Sequence, residues 1–197
     1  MELTENFSLA KRLKATDEFE VCGENKEMEL RLRPYKPCDA EKIVGWIKDE
    51  ETLRKWSADK FGAFPITSED INNKYLENNG DCIEPDNFYP LIAFDDDGVA
   101  GHLILRYKDT EKKVIRVGLV IVDDTKRGKG YGKQMLILAI KYALDIFGAE
   151  KITLGVFDNN EPAYCCYKAA GFIENGEEML CEIFGKQWRN VEMEIKK

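Results

Sequence analysis

No apolar run in this sequence approaches the length of a membrane span, so a bilayer partner is not expected. The opening stretch MELTENFSLAKRLKATDEFE lacks the basic, then apolar, then small-residue order of an export signal. Histidine is scarce: His102 stands alone, in an alternating strand-like stretch, and is read as structural. Six cysteines are present (Cys22, Cys38, Cys82, Cys165, Cys166, Cys181), but no Cys-x-x-Cys pair. Without a secretory context they read as reduced thiols in a cytoplasmic protein, and no metal site is expected. Positive charge is in deficit too. At net −8 the chain offers no broad basic face to a phosphate backbone, which argues against nucleic acid and suits a cationic partner.

What is present is ordinary globular composition, 44% hydrophobic and 11% aromatic in 197 residues, enough for one domain with a full core. Residues 1-27 are polar without a clear apolar stripe and read as an N-terminal extension; residues 28-197 read as the folded domain. MELRLRPYK, from Met28, alternates like a strand exposed on one face. Asp39 is a candidate N-cap for helices carrying Ile43, Val44, Ile47 and Trp56, and a further helix capped by Thr67 or Ser68 stops near Gly80. Two strands then meet at Asp97-Gly98, a hairpin signal, and KVIRVGLVIVDD supplies a third, predicting an antiparallel meander.

From Tyr131 to Phe147, Met135, Ala139, Tyr142, Ala143 and Ile146 recur at helical spacing. KITLGVF follows as a strand, so strand, helix and strand form a crossover with its two strands parallel. NEPAYCCYKAAGF reads as a helix with Pro162 in its first turn and Gly171 as its stop, and WRNVEMEIKK as a closing strand. The fold class is α/β (α+β), a mixed, mainly antiparallel sheet with flanking helices.

Between the meander and its helix lies VIVDDTKRGKGYGK, which gathers Lys126, Arg127, Lys129 and Lys133 around Gly128, Gly130 and Gly132. A P-loop requires Ser or Thr after its lysine, and Gln134 stands there; a dinucleotide fingerprint requires a third glycine where Lys133 stands. Arg127-x-x-Gly130-x-Gly132 at a helix start remains. The first N–H groups of a helix lack intrahelical partners and carry its positive dipole end. Glycines leave those groups open to a pyrophosphate. A glycine turn with solvated lysines is the alternative.

VIVDDTKRGKGYG together with NEPAYCCYKAAGF resembles the two signature motifs of the GNAT superfamily of acetyl-CoA-dependent N-acetyltransferases, and the resemblance extends over roughly residues 30 to 195. LRPYKPCDAEKIVGWIKDEETLRKW looks like the start of the subgroup containing the ribosomal-protein alanine N-acetyltransferases; Asp124 stands where the family often has proline.

The resemblance implies acetyl-CoA as co-substrate. Its pyrophosphate would lie on backbone N–H groups of Gly128, Lys129, Gly130, Tyr131, Gly132 and Lys133, with Arg127 nearby, and its pantetheine arm along Val120, Ile121 and Val122. There this fold splays two parallel strands, and Gly118 and Gly155 are candidates for easing the bend. A backbone N–H near Val122 would serve the oxyanion.

By the same resemblance, Tyr167 takes the catalytic position, as general acid toward the leaving thiolate; packing as an amphipathic-helix tyrosine is the alternative. Asn160 would bond pantetheine or a water, or cap its helix. Tyr164, one turn before Tyr167, would line the pocket. The base is a gap: VIRVGLVIV carries Arg116 and no carboxylate, leaving a water relay, Glu178 or Glu182. Asp49, Glu50, Glu51 and Trp56 form a candidate acceptor rim, and Asp95 to Asp97 read as a solvated hairpin tip.

The expected function is acetyl transfer to a primary amine, either a small molecule or a protein N-terminus, with a non-catalytic acyl-CoA sensor of the same fold as the competing reading. A homodimer is left open.

Overall fold

One seven-stranded sheet runs β1 (Arg31–Pro34), β2 (Tyr89–Asp95), β3 (Gly98–Tyr107), β4 (Val114–Val122), β5 (Lys151–Phe157), β7 (Lys186–Lys196) and β6 (Ile173–Ile183) from edge to edge. The coordinates are a computed structural model that describes residues 29–196. The expected extension, Met28 and Lys197 lie outside the described residues. All pairings are antiparallel except β4 with β5, as the crossover predicts.

Helices α1 (Ala40–Trp46), α2 (Glu50–Ser57) and α3 (Ser68–Asn72) cover one face; α4 (Tyr131–Asp145) and α5 (Glu161–Ala169) cover the other. Helix α4 buries Met135, Leu136, Ala139 and Ala143, one stripe at 3.6-residue spacing, against Leu103, Ile115 and Ile152 of the sheet. Large apolar side chains buried this way contribute about 1.5–3 kcal/mol each. On the opposite face Ile43, Leu53 and Ile71 pack on Ile92, Ile104 and Ile121.

Helix starts follow local capping chemistry. The Asp49 carboxylate accepts from Thr52 N at 2.6 Å to begin α2. Thr67, rather than Ser68, caps α3 in a reciprocal box with Asp70. Asp39 makes no side-chain cap to α1. It accepts instead from Lys36 N at 2.7 Å and from both terminal nitrogens of Arg33, each at 2.7 Å, tying β1 to the following turn.

Strand β4 changes face without breaking its alternation. Ile115, Val117, Leu119 and Ile121 are all buried. The first two join the core under α4, the last two the core under α1–α3. A one-residue bulge opposite Leu103 causes the switch. Leu119 carries it, at φ +47°, so the bend sits there and not at Gly118 or Gly155. Such a conformation costs a non-glycine residue about 1–2 kcal/mol. The two glycines serve close approach: a Cβ on Gly118 would meet Ile104 at 3.3 Å, and one on Gly155 would meet Asn190 Oδ1 at 2.4 Å.

His102 is fully buried between these layers, its Nδ1 2.9 Å from Leu91 O and its Nε2 2.8 Å from the Tyr75 hydroxyl. Burial pushes its pKa down from 6.5 to about 4. The unfolded chain therefore binds a proton that the folded chain refuses between those values. Stability from this site is fully present above pH 6.5 and is lost as pH falls toward 4, by about 3 kcal/mol from the linkage of the two values. Urea unfolding at pH 7 and pH 5 is expected to show a drop that His102→Gln abolishes; equal pH slopes for both proteins would remove this role.

Candidate active site

At the end of β4 the Asp123 carboxylate accepts from Thr125 N at 2.9 Å and from its hydroxyl at 2.7 Å, starting a short turn over Asp124–Lys126. Gly128 at φ +74° and Gly130 at φ +86° then take left-handed conformations that favour glycine. Gly132 answers a different demand, because a Cβ there would lie 2.9 Å from Cys166 Sγ of α5 and 3.6 Å from Val122 Cγ2. Helix α4 begins after Gly130 with no side-chain cap and no acidic residue in its first turn. The N–H groups of Tyr131, Gly132 and Lys133 thus form an open, electropositive helix end.

The four basic side chains of the loop divide into two pairs. Lys126 bonds Asp95 at 2.8 Å and 3.0 Å, and the Tyr131 hydroxyl donates to the same carboxylate at 2.8 Å. Arg127 donates to Val122 O at 3.1 Å and to Trp46 O at 3.2 Å. Both brace the loop, one to the β2–β3 hairpin and one to α1. Lys129 and Lys133 have no ion pair among the described residues. The acidic hairpin tip is correspondingly not just solvated: Asp95 is the brace, and burial, which raises its pKa, is outweighed by Lys126 and Tyr131. Asp124, at the frequent proline position, faces Lys48 at 3.4 Å.

Beside the loop, the sheet opens. β4 pairs with β5 only over Val114–Arg116 against Lys151–Thr153. Beyond that step β5 continues paired with β7, and the β4 edge that faces away from β3, carrying Val120, Ile121 and Val122, has no strand beside it among the described residues. Its backbone groups are available to an amide-bearing ligand.

Tyr167 of α5 packs in the core on this side, near Phe172 at 6.4 Å between ring centroids. It is 8% exposed, and its hydroxyl has no hydrogen-bond partner among the described residues. Burial raises its pKa well above the usual phenol value. Asn160 occupies the N-cap position of α5 without a side-chain capping bond, and its amide has no partner among the described residues. Tyr164 is committed elsewhere: its hydroxyl bonds the Glu174 carboxylate of β6, and Lys168 lies 5.4 Å from its ring centroid. Gly132 packs against Cys166 of α5 and Val122 of β4, so the glycine loop, the free β4 edge and the helix that carries Tyr167 and is preceded by Asn160 are neighbours, while Tyr164 turns toward β6.

The acceptor rim holds fewer free carboxylates than its sequence suggests. Asp49 caps α2, Glu50 pairs with Arg54 at 2.6 Å, and Glu51 with Lys55 at 2.7 Å. Trp56 stacks on Phe61 at 5.2 Å, with its buried indole N–H unpartnered. A cleft of about 340 Å³, lined by Phe61, Ile66, Asp70 and Lys74, lies beside α3 and includes no residue of the glycine loop. The helix end and the strand edge are better candidates than that concavity, because they carry free backbone groups of the kind a phosphate and an amide can use.

Glu178 and Glu182 are exposed on β6 and share the face of Val191 and Gln187. On the opposite face, Glu192 of β7 is buried beside Arg116 and Lys108. Sequence reading treats Glu192 as one more polar residue in the alternation VEMEI. Only the register with β5 reveals that it abuts the splay.

The Acetyltransferase (GNAT) family model matches residues 49–172. Spermine/spermidine N(1)-acetyltransferase of Bacillus subtilis (strain 168) is 30% identical over 112 residues, covering 52% of this chain and 74% of that protein. N-acetyltransferase 9-like protein of Nematostella vectensis is 20% identical over 155 residues, covering 76% of this chain and 77% of that protein. The crystal structure of spermidine N-acetyltransferase from Vibrio cholerae in complex with CoA and spermine superposes with a TM-score of 0.70 at 20% identity, covering 85% of this chain and 95% of that one. With the family model spanning more than half its length, this chain belongs to the GNAT acetyltransferase family. It is an N-acetyltransferase with the family's mixed seven-stranded sheet.

Proposed function

We propose that the protein transfers the acetyl group of acetyl-CoA to a small primary amine, by direct attack of the free amine on the thioester. The amides of Gly128 to Lys133 bind the pyrophosphate, with Lys129 and Lys133 adding attraction. The free edge of β4 from Val120 to Val122 holds the pantetheine amides, and an N–H there stabilises the developing oxyanion. Asn160 adds a side-chain bond to the pantetheine arm. Tyr167 donates a hydrogen bond to the leaving sulfur. A free thiol has a pKa near ~8.5 and burial holds this phenol far above ~10, so the proton stays mostly on Tyr167 and the bond offsets thiolate charge.

The observation that carries this reading is the juxtaposition of an uncapped, glycine-entered helix end with an unpaired strand edge. A small amine acceptor is supported by the net charge of −8 and by the spermine/spermidine acetyltransferase among the relatives. Steady-state CoA release with polyamines, amino acids and a peptide N-terminus tests it. Turnover highest with an alkyl polyamine supports the proposal. Calorimetric binding of acetyl-CoA with no amine turned over above background replaces it with an acyl-CoA sensor.

A further inference from the structure

The last paired step between β4 and β5 joins Arg116 to Thr153. On β7, Glu194 stands opposite Thr153, Glu192 opposite Gly155 and Asn190 opposite Phe157. Register partners share a face, so Arg116, Thr153, Gly155, Phe157, Asn190, Glu192 and Glu194 lie together. Leu154, Val156, Val191 and Met193 hold the other face, with Tyr167 and α5. Glu192 and Tyr167 therefore approach the splay from opposite sides of the sheet, as an acceptor and a leaving group must.

Gly155 makes the approach feasible. A Cβ there would lie 2.7 Å from Arg116 Nη2 and 2.4 Å from Asn190 Oδ1, so the glycine lets both side chains reach over β5 just past the last paired residue. Arg116 Nη1 donates to Glu192 Oε1 at 2.5 Å and Lys108 Nζ to the same oxygen at 3.1 Å. The second oxygen, Oε2, has no partner among the described residues, and it is not among the fully buried unpartnered atoms, so a carboxylate side chain only 11% exposed keeps one oxygen open to the splay. Around it, the Thr153 hydroxyl is buried and unpartnered, and the Asn190 amide makes no side-chain bond among the described residues. Phe157 and Trp188 meet edge to face at 5.2 Å, an apolar wall along which methylenes can lie and a ring face a cation can use.

We infer that Glu192 is the carboxylate that receives the acceptor's ammonium, through Oε2, with Arg116 as its positioning residue and a primary amine on an unbranched alkyl arm as the substrate class. This rests on the acetyltransferase reading above. Glu192 is the anionic partner of that cation: burial raises its pKa, but Arg116 and Lys108 outweigh that and keep it below the usual carboxylate range. Lys108, about half exposed, and Arg116, less exposed, both hold Oε1 and leave Oε2 to the ammonium.

Kinetics of Glu192→Gln test the assignment. The amine KM should rise about 10- to 100-fold, the range for losing one charge-assisted bond, while acetyl-CoA affinity by calorimetry changes by less than about two-fold. Since the single change leaves Arg116 without its anion, the double variant R116Q/E192Q is the control. It should recover thermal stability lost by the single variant and still show the raised amine KM. An unchanged amine KM in Glu192→Gln, or its return to the original value in the double variant, overturns the inference. Failure of the acetyltransferase reading looks different: the unsubstituted protein then releases no CoA with any amine, and both proposals fall.

Discussion

Gly130→Val is expected to weaken acetyl-CoA binding about 100-fold or more while leaving the fold in place. Gly130 holds φ +86° immediately before α4. A non-glycine residue there is strained by about 1–2 kcal/mol, and a β-branched one is a true outlier. The loop relieves that strain by shifting φ, which swings the first amides of α4 out of convergence. Each hydrogen bond from an amide to a charged phosphate oxygen is worth about 1.5–3 kcal/mol, and about 1.4 kcal/mol is a factor of ten, so misplacing one or two accounts for the loss. The braces from Lys126 to Asp95 and from Arg127 to Trp46 O survive the substitution, so circular dichroism should remain native. Isothermal titration with acetyl-CoA gives the answer. A dissociation constant within three-fold of the original, about 0.7 kcal/mol or less, would show that the helix end does not hold the diphosphate.

Tyr167→Phe should lower kcat about 100-fold, the modest end of what positioned acids supply, with acetyl-CoA affinity nearly unchanged. The modest end is expected because burial holds the phenol so far above the thiol that full proton transfer is uphill. Stability should change little, because the hydroxyl has no partner that its removal would orphan, and phenylalanine fills the same ring volume beside Phe172. The pH profile adds a second readout. Tyr167 stays protonated through pH 10, so the rate should climb with amine deprotonation and show no alkaline fall from this group. Retained activity with a lowered melting temperature would reduce Tyr167 to a core residue.

Much of the fold was legible because its elements carry local signals. The β2–β3 turn has its Asp-Gly, α4 its apolar stripe, and the crossover its order of elements. Strand β6 was not legible: IENGEEMLCEI is mostly exposed and shows no alternation, since an edge strand pairs through its backbone with little side-chain demand. The bulge at Leu119 was missed for a related reason. Leucine gives no hint of a positive φ, and glycines stood close enough to be credited with the bend.

The site was legible where function needs backbone and hidden where it needs charge. Glycines at 128 and 130 mark a left-handed turn into a helix start, and Gly132 a close approach to α5, whatever the loop binds. Opposite charges far apart in the chain can cancel, as Lys126 and Asp95 do, or can leave one oxygen without a partner among the described residues, as at Glu192.

By itself the sequence determined the class of fold, the glycine-entered start of α4 and the tyrosine one strand and part of a helix later, because these depend on backbone conformation and short-range periodicity. Tertiary structure alone decided which cations remain unpaired, where β4 parts from β5 and which carboxylate faces that opening. Those outcomes depend on strand register and long-range pairing, and a shift of one residue in β7 would have turned Glu192 to the other side of the sheet.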